Sequence, residues 1–355
     1  MKLGFGLYRH QLTDEYLRFA VQCGATHIVV HLVDYFKGGD ERERGDQPVA
    51  VVDGEWGRAG EPDALWTQTD LDRIRTQIEA HGLVFHAIEN FDPAHWYDIL
   101  LDGPLRDQQI EHIQTLITRA GRAGVAVIGY NFSLAGVYGR SKGPYGRGGA
   151  DVVRMDGLDE QPLRDGVVWN MQLPWRADSA RSARVDAATL WDRLTRFSHD
   201  VLPTAAVAGV KLAAHPDDPP VERLRDTPRL INRPEYFLRL LDTVDHPYNT
   251  LELCLGTLME MAGDNHYEII EECAKRGRIG YVHFRNVQGR VPHYTETFID
   301  EGDLDLRRVV DLFRQHRVDS VLIPDHAPGM TCDAPWHAGM AYAMGYMKAL
   351  LNGGR

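Results

Sequence analysis

Short apolar runs alternate along the chain with longer amphipathic stretches, the pattern expected of strand–helix repeats around a parallel sheet. The runs predict strands near 3–8, 26–32, 83–89, 125–131, 208–214, 249–254, 279–284 and 319–324. Between them, helical periodicity predicts helices over 13–22, 69–81, 105–123, 188–203, 234–243, 265–276, 305–316 and 337–351. Strand comes first and helix last, which favours a closed (β/α)8 TIM barrel over an open doubly wound sheet. No Gly-x-Gly-x-x-Gly follows the first strand, so a dinucleotide fold has no positive support. Punctuation agrees with the periodicity. Thr13 precedes the acidic pair Asp14-Glu15, Thr69-Asp70 opens the second helix, and Gly82 and Gly124 stand where helices should end.

Two connections are much longer than such units normally need. One runs from about 34 to 66, after strand two, and the other from about 133 to 186, after strand four. The chain is therefore expected to be a single barrel domain, 1–355, with 133–186 as an inserted loop or lid. The run from Tyr138 to Gly149 is too rich in glycine to be helix or strand. Loops that follow barrel strands lie on the active-site face, so a substrate lid is the functional reading and a disordered or subunit-contact loop the plain one.

Composition narrows the partners. Net charge is −12 and no dense Lys/Arg block occurs, which argues against nucleic acid and anionic membrane. No apolar stretch approaches the roughly 20 residues that cross a bilayer, and the N-terminus reads as a first strand rather than a signal sequence. Four cysteines without a CxxC pair suit a reducing cytoplasm. Cys23 and Cys273 fall in helical stretches and read as packing residues. A homo-oligomer is compatible with this size, although no residue specifies one.

Chemistry concentrates at the ends of the later strands. His215, Cys254, His283 and Asp325 each close an apolar run, at intervals of 39, 29 and 42 residues. In a (β/α)8 barrel such ends converge on one mouth, which turns four distant residues into one candidate metal site. Singly, each has a plainer reading: a structural histidine, a small core cysteine, a solvated loop residue. Arg285, two residues after His283, suits a two-pronged grip on a carboxylate, and its neighbour Asn286 suits a hydroxyl. Asp325-His326 allows one side chain to hold metal while the other moves a proton. Two competing assignments are weaker. Lys211 could form a Schiff base but stands four residues before its strand's end. Glu89 and Glu252 could pair as acid and base, but Glu252 precedes Cys254 by two and belongs deeper; Glu89 is kept as a substrate or metal-shell contact.

These motifs carry a family likeness. His-Pro-Asp-Asp-Pro-Pro at 215–220, His-Phe-Arg-Asn-Val at 283–287 and Pro-Asp-His at 324–326 resemble the mannonate dehydratases, metal-dependent (β/α)8 barrels. The Cys254-Leu-Gly-Thr stretch, residues 101–107 and Gly129-Tyr130-Asn131-Phe132 add to the likeness. The resemblance implies Mn²⁺ or Fe²⁺ held by His215, Cys254, His283 and Asp325, with His326 in proton transfer and Arg285 on the acid substrate. It implies dehydration of D-mannonate to 2-keto-3-deoxy-D-gluconate, with Tyr8 and Asn131 as candidate substrate contacts. Two positions depart from the family. Gly6 stands where it has an arginine. Ala334-Pro335-Trp336-His337-Ala338-Gly339 replaces a stretch with a catalytic tyrosine, which leaves His337 as the nearest proton carrier and Tyr342 further on. The expected activity is thus a sugar-acid lyase, with a metal-dependent sugar isomerase or epimerase as alternative and a non-catalytic barrel behind both.

Overall fold

Eight parallel strands close on themselves, and the described residues of the computed structural model are 1–37, 56–176 and 185–353. The strands are β1 (Lys2–Tyr8), β2 (His27–His31), β3 (Val84–Glu89), β4 (Val127–Tyr130), β5 (Lys211–Ala214), β6 (Asn249–Cys254), β7 (Ile279–His283) and β8 (Val321–Ile323). Each pairs with its sequence neighbours, and β8 returns to β1 through Lys2 opposite Val321. All eight predicted strands are present, so the TIM barrel is the fold of this chain.

The enclosing helices are α1 (Asp14–Gln22), α2 (Gln68–Glu79), α3 (Arg106–Arg122), α4 (Ala187–Ala208), α5 (Glu235–Thr243), α6 (His266–Arg276), α7 (Leu306–Gln315) and α8 (Pro335–Leu351). The Thr13 side chain caps α1 by accepting from the Tyr16 amide. The cap of α2 is Thr67 rather than Thr69, because Thr67 and Asp70 exchange side-chain and backbone hydrogen bonds in a capping box. Gly82 and Gly124 have φ of +73° and +78°, the left-handed conformation that ends a helix cheaply only with glycine. Helix α4 runs through Pro203 to Ala208, five residues past its predicted end, and stops at Gly209.

Two apolar layers hold the barrel. One fills the space between strands and helices, with Phe5, Leu17, Ile113, Phe197, Phe237 and Phe313 fully buried. The other lies inside the barrel: Val29, Ala87, Val127, Ala213, Tyr281, Val321 and Ile323. Gly129 leaves room inside for larger neighbours, since a Cβ there would lie 2.3 Å from the Tyr281 hydroxyl and 2.4 Å from a Glu252 oxygen.

The described parts of the insertions carry more regular structure than their composition suggested. Part of the connection after β2 and part of that after β4, residues 38–55 and 177–184, lie outside the described residues. Within the Tyr138–Gly149 run, expected to form neither helix nor strand, Arg140–Gly143 is a strand. It pairs with Val152–Asp156, which pairs with the hairpin Val287–Arg290/His293–Glu296 that follows β7. Edge-strand pairing outweighs the glycines here, and the resulting four-stranded sheet carries Arg140, Tyr294 and Glu296 to the barrel mouth.

Candidate active site at the mouth of the barrel

The C-terminal ends of the strands surround a cavity lined by Tyr8, His31, Glu89, Asn131, His215, His283, Asp325 and His326, together with Arg140, Asp218 and an aromatic wall. Donor atoms of His215, Cys254 and His283 lie within 4.8 Å of one another. His283 also meets Glu89, Glu252 and Asp325, at 3.3, 3.0 and 3.3 Å. A second group, Glu89, Glu252 and His283, satisfies the same 4.8 Å spacing. Asp325 reaches this cluster through His283 alone among these residues, and its Oδ2 also accepts from Arg285 Nε at 2.9 Å.

Local sequence explains these positions. Cys254 ends β6 and caps the short helix Leu255–Glu260; Thr257 donates to its sulfur from both the backbone amide, at 3.4 Å, and the hydroxyl, at 3.1 Å. Strand β8 stops at Ile323, and Asp325 takes φ +62°. That turn lets Asp325 and His326, adjacent in sequence, both face the mouth. The prolines after His215 lead the chain out to Asp217 and Asp218. Asp217 accepts from the amides of Leu230 and Ile231, while Asp218 accepts from Arg285, Tyr294 and Thr257.

Charge is tightly matched but strained in the chain alone. Burial by itself would raise the Cys254 thiol, yet the charge of Arg285 and hydrogen bonds from His215 and His283 hold it well below the ordinary range. Burial would lower His215, but Glu252 and Cys254 push it up to about 9. His283 is likewise driven well above the usual imidazole range by Asp325, Glu89 and Glu252 against its burial. Both Glu252 oxygens are buried without an aligned hydrogen-bond donor, and burial with the nearby Glu89 charge raises its carboxyl. A buried thiolate and two imidazoles within 4.8 Å of one another, with under-satisfied carboxylates against His283, suit a divalent cation. The residues fit a metal.

Other predicted residues fall elsewhere. Arg285 is 4% exposed and lies behind the mouth, donating to Asp218, Glu260, Asp325 and Thr257. Its guanidinium is consumed in holding those groups, so it positions Asp325 instead of facing a substrate. Asn286 is also structural: its amide bonds the backbone of Leu304 and Val287 and ties down the loop after β7. His337 does not line the cavity. It sits in the first turn of α8 against Phe19, Tyr16 and Trp336, because the helix starts at Pro335 and turns that face toward α1. Lys211 is the first residue of β5, at the far end of the barrel. Tyr8, Glu89 and Asn131 do line the mouth, and Asn131 Oδ1 is buried without a partner.

His31, Tyr35, Asn90 and Arg140 were not picked out from the sequence. His31 ends β2 as His283 ends β7, so the rule of strand ends would have found it. Arg140 sits 3.4 Å from Asp218 and 3.6 Å from Glu296, and only the inserted sheet brings it there.

The D-mannonate dehydratase (UxuA) family model matches residues 50–352. Mannonate dehydratase of Streptococcus equi subsp. zooepidemicus is 30% identical over 278 residues, 74% of either chain. The crystal structure of mannonate dehydratase from Streptococcus suis serotype 2 superposes over 100% of this chain and 95% of its own, with TM-score 0.74 and 24% identity. D-psicose 3-epimerase from Clostridium cellulolyticum H10 shares the fold alone, with TM-score 0.55 and 12% identity over 100% of this chain and 98% of its own.

Proposed function

The chain belongs to the D-mannonate dehydratase family, and from that premise we propose that it is a hydro-lyase acting on D-mannonate or a closely related hexonate, with a 2-keto-3-deoxy acid as product. The observation that carries this reading is the convergence of His215, Cys254 and His283 within 4.8 Å at the barrel mouth. The family is metal-dependent; the donor set, one thiolate with imidazoles and a carboxylate nearby, favours Mn²⁺ or Fe²⁺ held by His215, Cys254 and His283 with Asp325 beside them. Bound there, the ion would polarise the substrate's carboxylate end and make the C2 proton more acidic.

The remaining work falls to the chain. His326 lies between two carboxylates, its Nδ1 3.2 Å from Glu296 and its Nε2 3.2 Å from Asp325. Those neighbours keep a proton on the imidazole, which suits it to protonate the C3 hydroxyl as that group departs. Arg140 supplies cationic charge at the cavity wall for an anionic substrate, and Asn131 offers an unpaired carbonyl to a sugar hydroxyl. The described part of the insertion, residues 133–176, covers one side of this mouth, where Val137, Arg140 and Trp169 line the cavity. Among the described residues no helix is long and apolar enough to cross a membrane. All four cysteines are free, and Cys254 must stay reduced to bind metal, which favours the cytoplasm.

Incubating Mn²⁺-loaded protein with a panel of hexonates tests the proposal. A 2-keto-3-deoxy product from one of them is expected. Conversion of sugars to their isomers, with no dehydration of any acid, would replace the lyase by an isomerase.

A further inference from the structure

Separated from β8 and His326 by β1 alone, a second chain of polar groups joins the ends of β2 and β3. His31 Nε2 lies 3.3 Å from Glu89 Oε2, and His31 Nδ1 lies 3.4 Å from the Tyr35 hydroxyl. Asn90 Nδ2 donates to that hydroxyl at 3.1 Å. Tyr8 stacks on the imidazole at 4.3 Å and 17°, which fixes the plane of the ring. Trp56 and Trp169 pack around the phenol, their centroids 5.4 and 5.6 Å away. His31, Tyr35, Glu89 and Asn90 are all buried, and all line the cavity.

Valence sets the direction of these bonds. An ionised Glu89 can only accept, so Nε2 of a neutral His31 carries the hydrogen and Nδ1 is left as acceptor. The phenol hydrogen of Tyr35 then points to Nδ1, and one lone pair of its oxygen takes the Asn90 amide. The other lone pair is left for a molecule in the cavity. Carboxylate, imidazole and hydroxyl in this order convert a weakly acidic hydroxyl into a base without forming a free anion.

We propose that Tyr35 is the base that removes the C2 proton of the sugar acid and passes its own hydroxyl proton to His31, with Glu89 and Asn90 as positioning residues. This rests on the dehydratase reading above. The C2–H electron pair becomes the C2=C3 π bond of the enol, and the C3–O pair leaves with the hydroxyl, which takes the His326 proton and departs as water. The C2 proton ends on the Tyr35 oxygen, and the original Tyr35 proton on His31 Nδ1, beside Glu89. His31 then returns a proton to solvent and His326 regains one, so the enzyme ends as it began.

The test uses full-length Mn²⁺-loaded protein and D-mannonate in D2O. Deuterium at C2 of recovered substrate is followed by NMR beside formation of the 2-keto-3-deoxy product. Tyr35→Phe removes one oxygen and leaves the aromatic packing; it should lower both exchange and dehydration by about 100-fold or more, with KM and metal content within about twofold of wild type. His31→Asn should also lower kcat, by roughly 10-fold or more, while sparing KM. A Tyr35→Phe enzyme that dehydrates within about fivefold of wild type, or exchanges at C2 without dehydrating, overturns the assignment and leaves the lyase reading intact. Wild-type protein that neither exchanges nor dehydrates any hexonate sinks that reading and this inference with it.

Discussion

The two ends of the barrel handle charge in opposite ways. At the floor, where the strands begin, the Lys2–Asp319 ion pair lies at the surface. Lys2 and Asp319 meet at 3.0 Å with side chains 42% and 73% exposed, an arrangement worth little either way. At the mouth, six carboxylates (Glu89, Asp218, Glu252, Glu260, Glu296 and Asp325) are almost closed to solvent; Arg140 and Arg285 meet four of them, while Glu89 and Glu252 meet imidazoles. The thiolate of Cys254 adds to the negative side. In the chain alone the balance is made up by imidazoles, which is why His215 and His283 hold protons so strongly. Excess buried anion is expensive unless a cation or a reaction uses it. The floor is built for stability and the mouth for binding a positive ion.

The sharpest way to break this contrast is at the sulfur. Cys254→Ser keeps the shape and the Thr257 contacts but removes the thiolate. Metal affinity should fall by at least about 100-fold, and turnover with it, while the fold persists. Elemental analysis after dialysis reads the result; full metal occupancy would show that the sulfur is only packing. Next in size is His326→Asn, which should leave the metal in place and lower kcat by roughly 10²–10⁴-fold. Near wild-type rates would remove His326 from proton transfer.

How far the mouth was readable differs between its two walls. On the β5–β8 side each candidate ligand ends an apolar run, so position in the repeat pointed to chemistry, and the donor atoms of His215, Cys254 and His283 come together. On the β2–β3 side the same rule applied to His31, but Tyr35 acts four residues past its strand in a turn that no periodicity marks. Arg285 and Asn286 were assigned by side-chain type, and type does not reveal direction. The hairpin after β7 turns both inward, where they close buried networks. Arg140 was hidden because its place depends on pairing between segments far apart in sequence. His337 was chosen by its place in the sequence alone, and the start of α8 carries it away from the mouth.

Arg285 tests whether the mouth also costs stability. One guanidinium holds Asp218, Glu260 and Asp325 at 2.8, 2.9 and 2.9 Å. Lysine keeps the charge but has no fork to bridge three carboxylates, so Arg285→Lys leaves at least one of them buried and unpaired. We expect a loss of about 3 kcal/mol in urea unfolding, larger than any single charge at the floor should give. A loss below about 1 kcal/mol would show that the network relaxes around the change.

Among the titrating groups of the floor, His86 sharpens the comparison from the other side. Burial, with smaller contributions from His27 and Lys2, lowers the pKa of His86 to about 4, against 6.5 for the unfolded residue. A folded pKa below the unfolded one means that the unfolded chain takes up the proton first as pH falls. Stability tied to His86 is therefore intact above pH 6.5 and is lost progressively down to about pH 4. By pH 5 the loss should be about 2 kcal/mol, from one and a half pH units at about 1.4 kcal/mol each. His86→Gln removes the titration, so between pH 7 and pH 5 the variant should lose about 2 kcal/mol less than wild type in urea unfolding. Its turnover at pH 7 should be unchanged, because His86 is on β3 three residues below Glu89 and does not line the cavity. Equal losses for both proteins would mean that the acid sensitivity lies in other groups and that His86 contributes none of it.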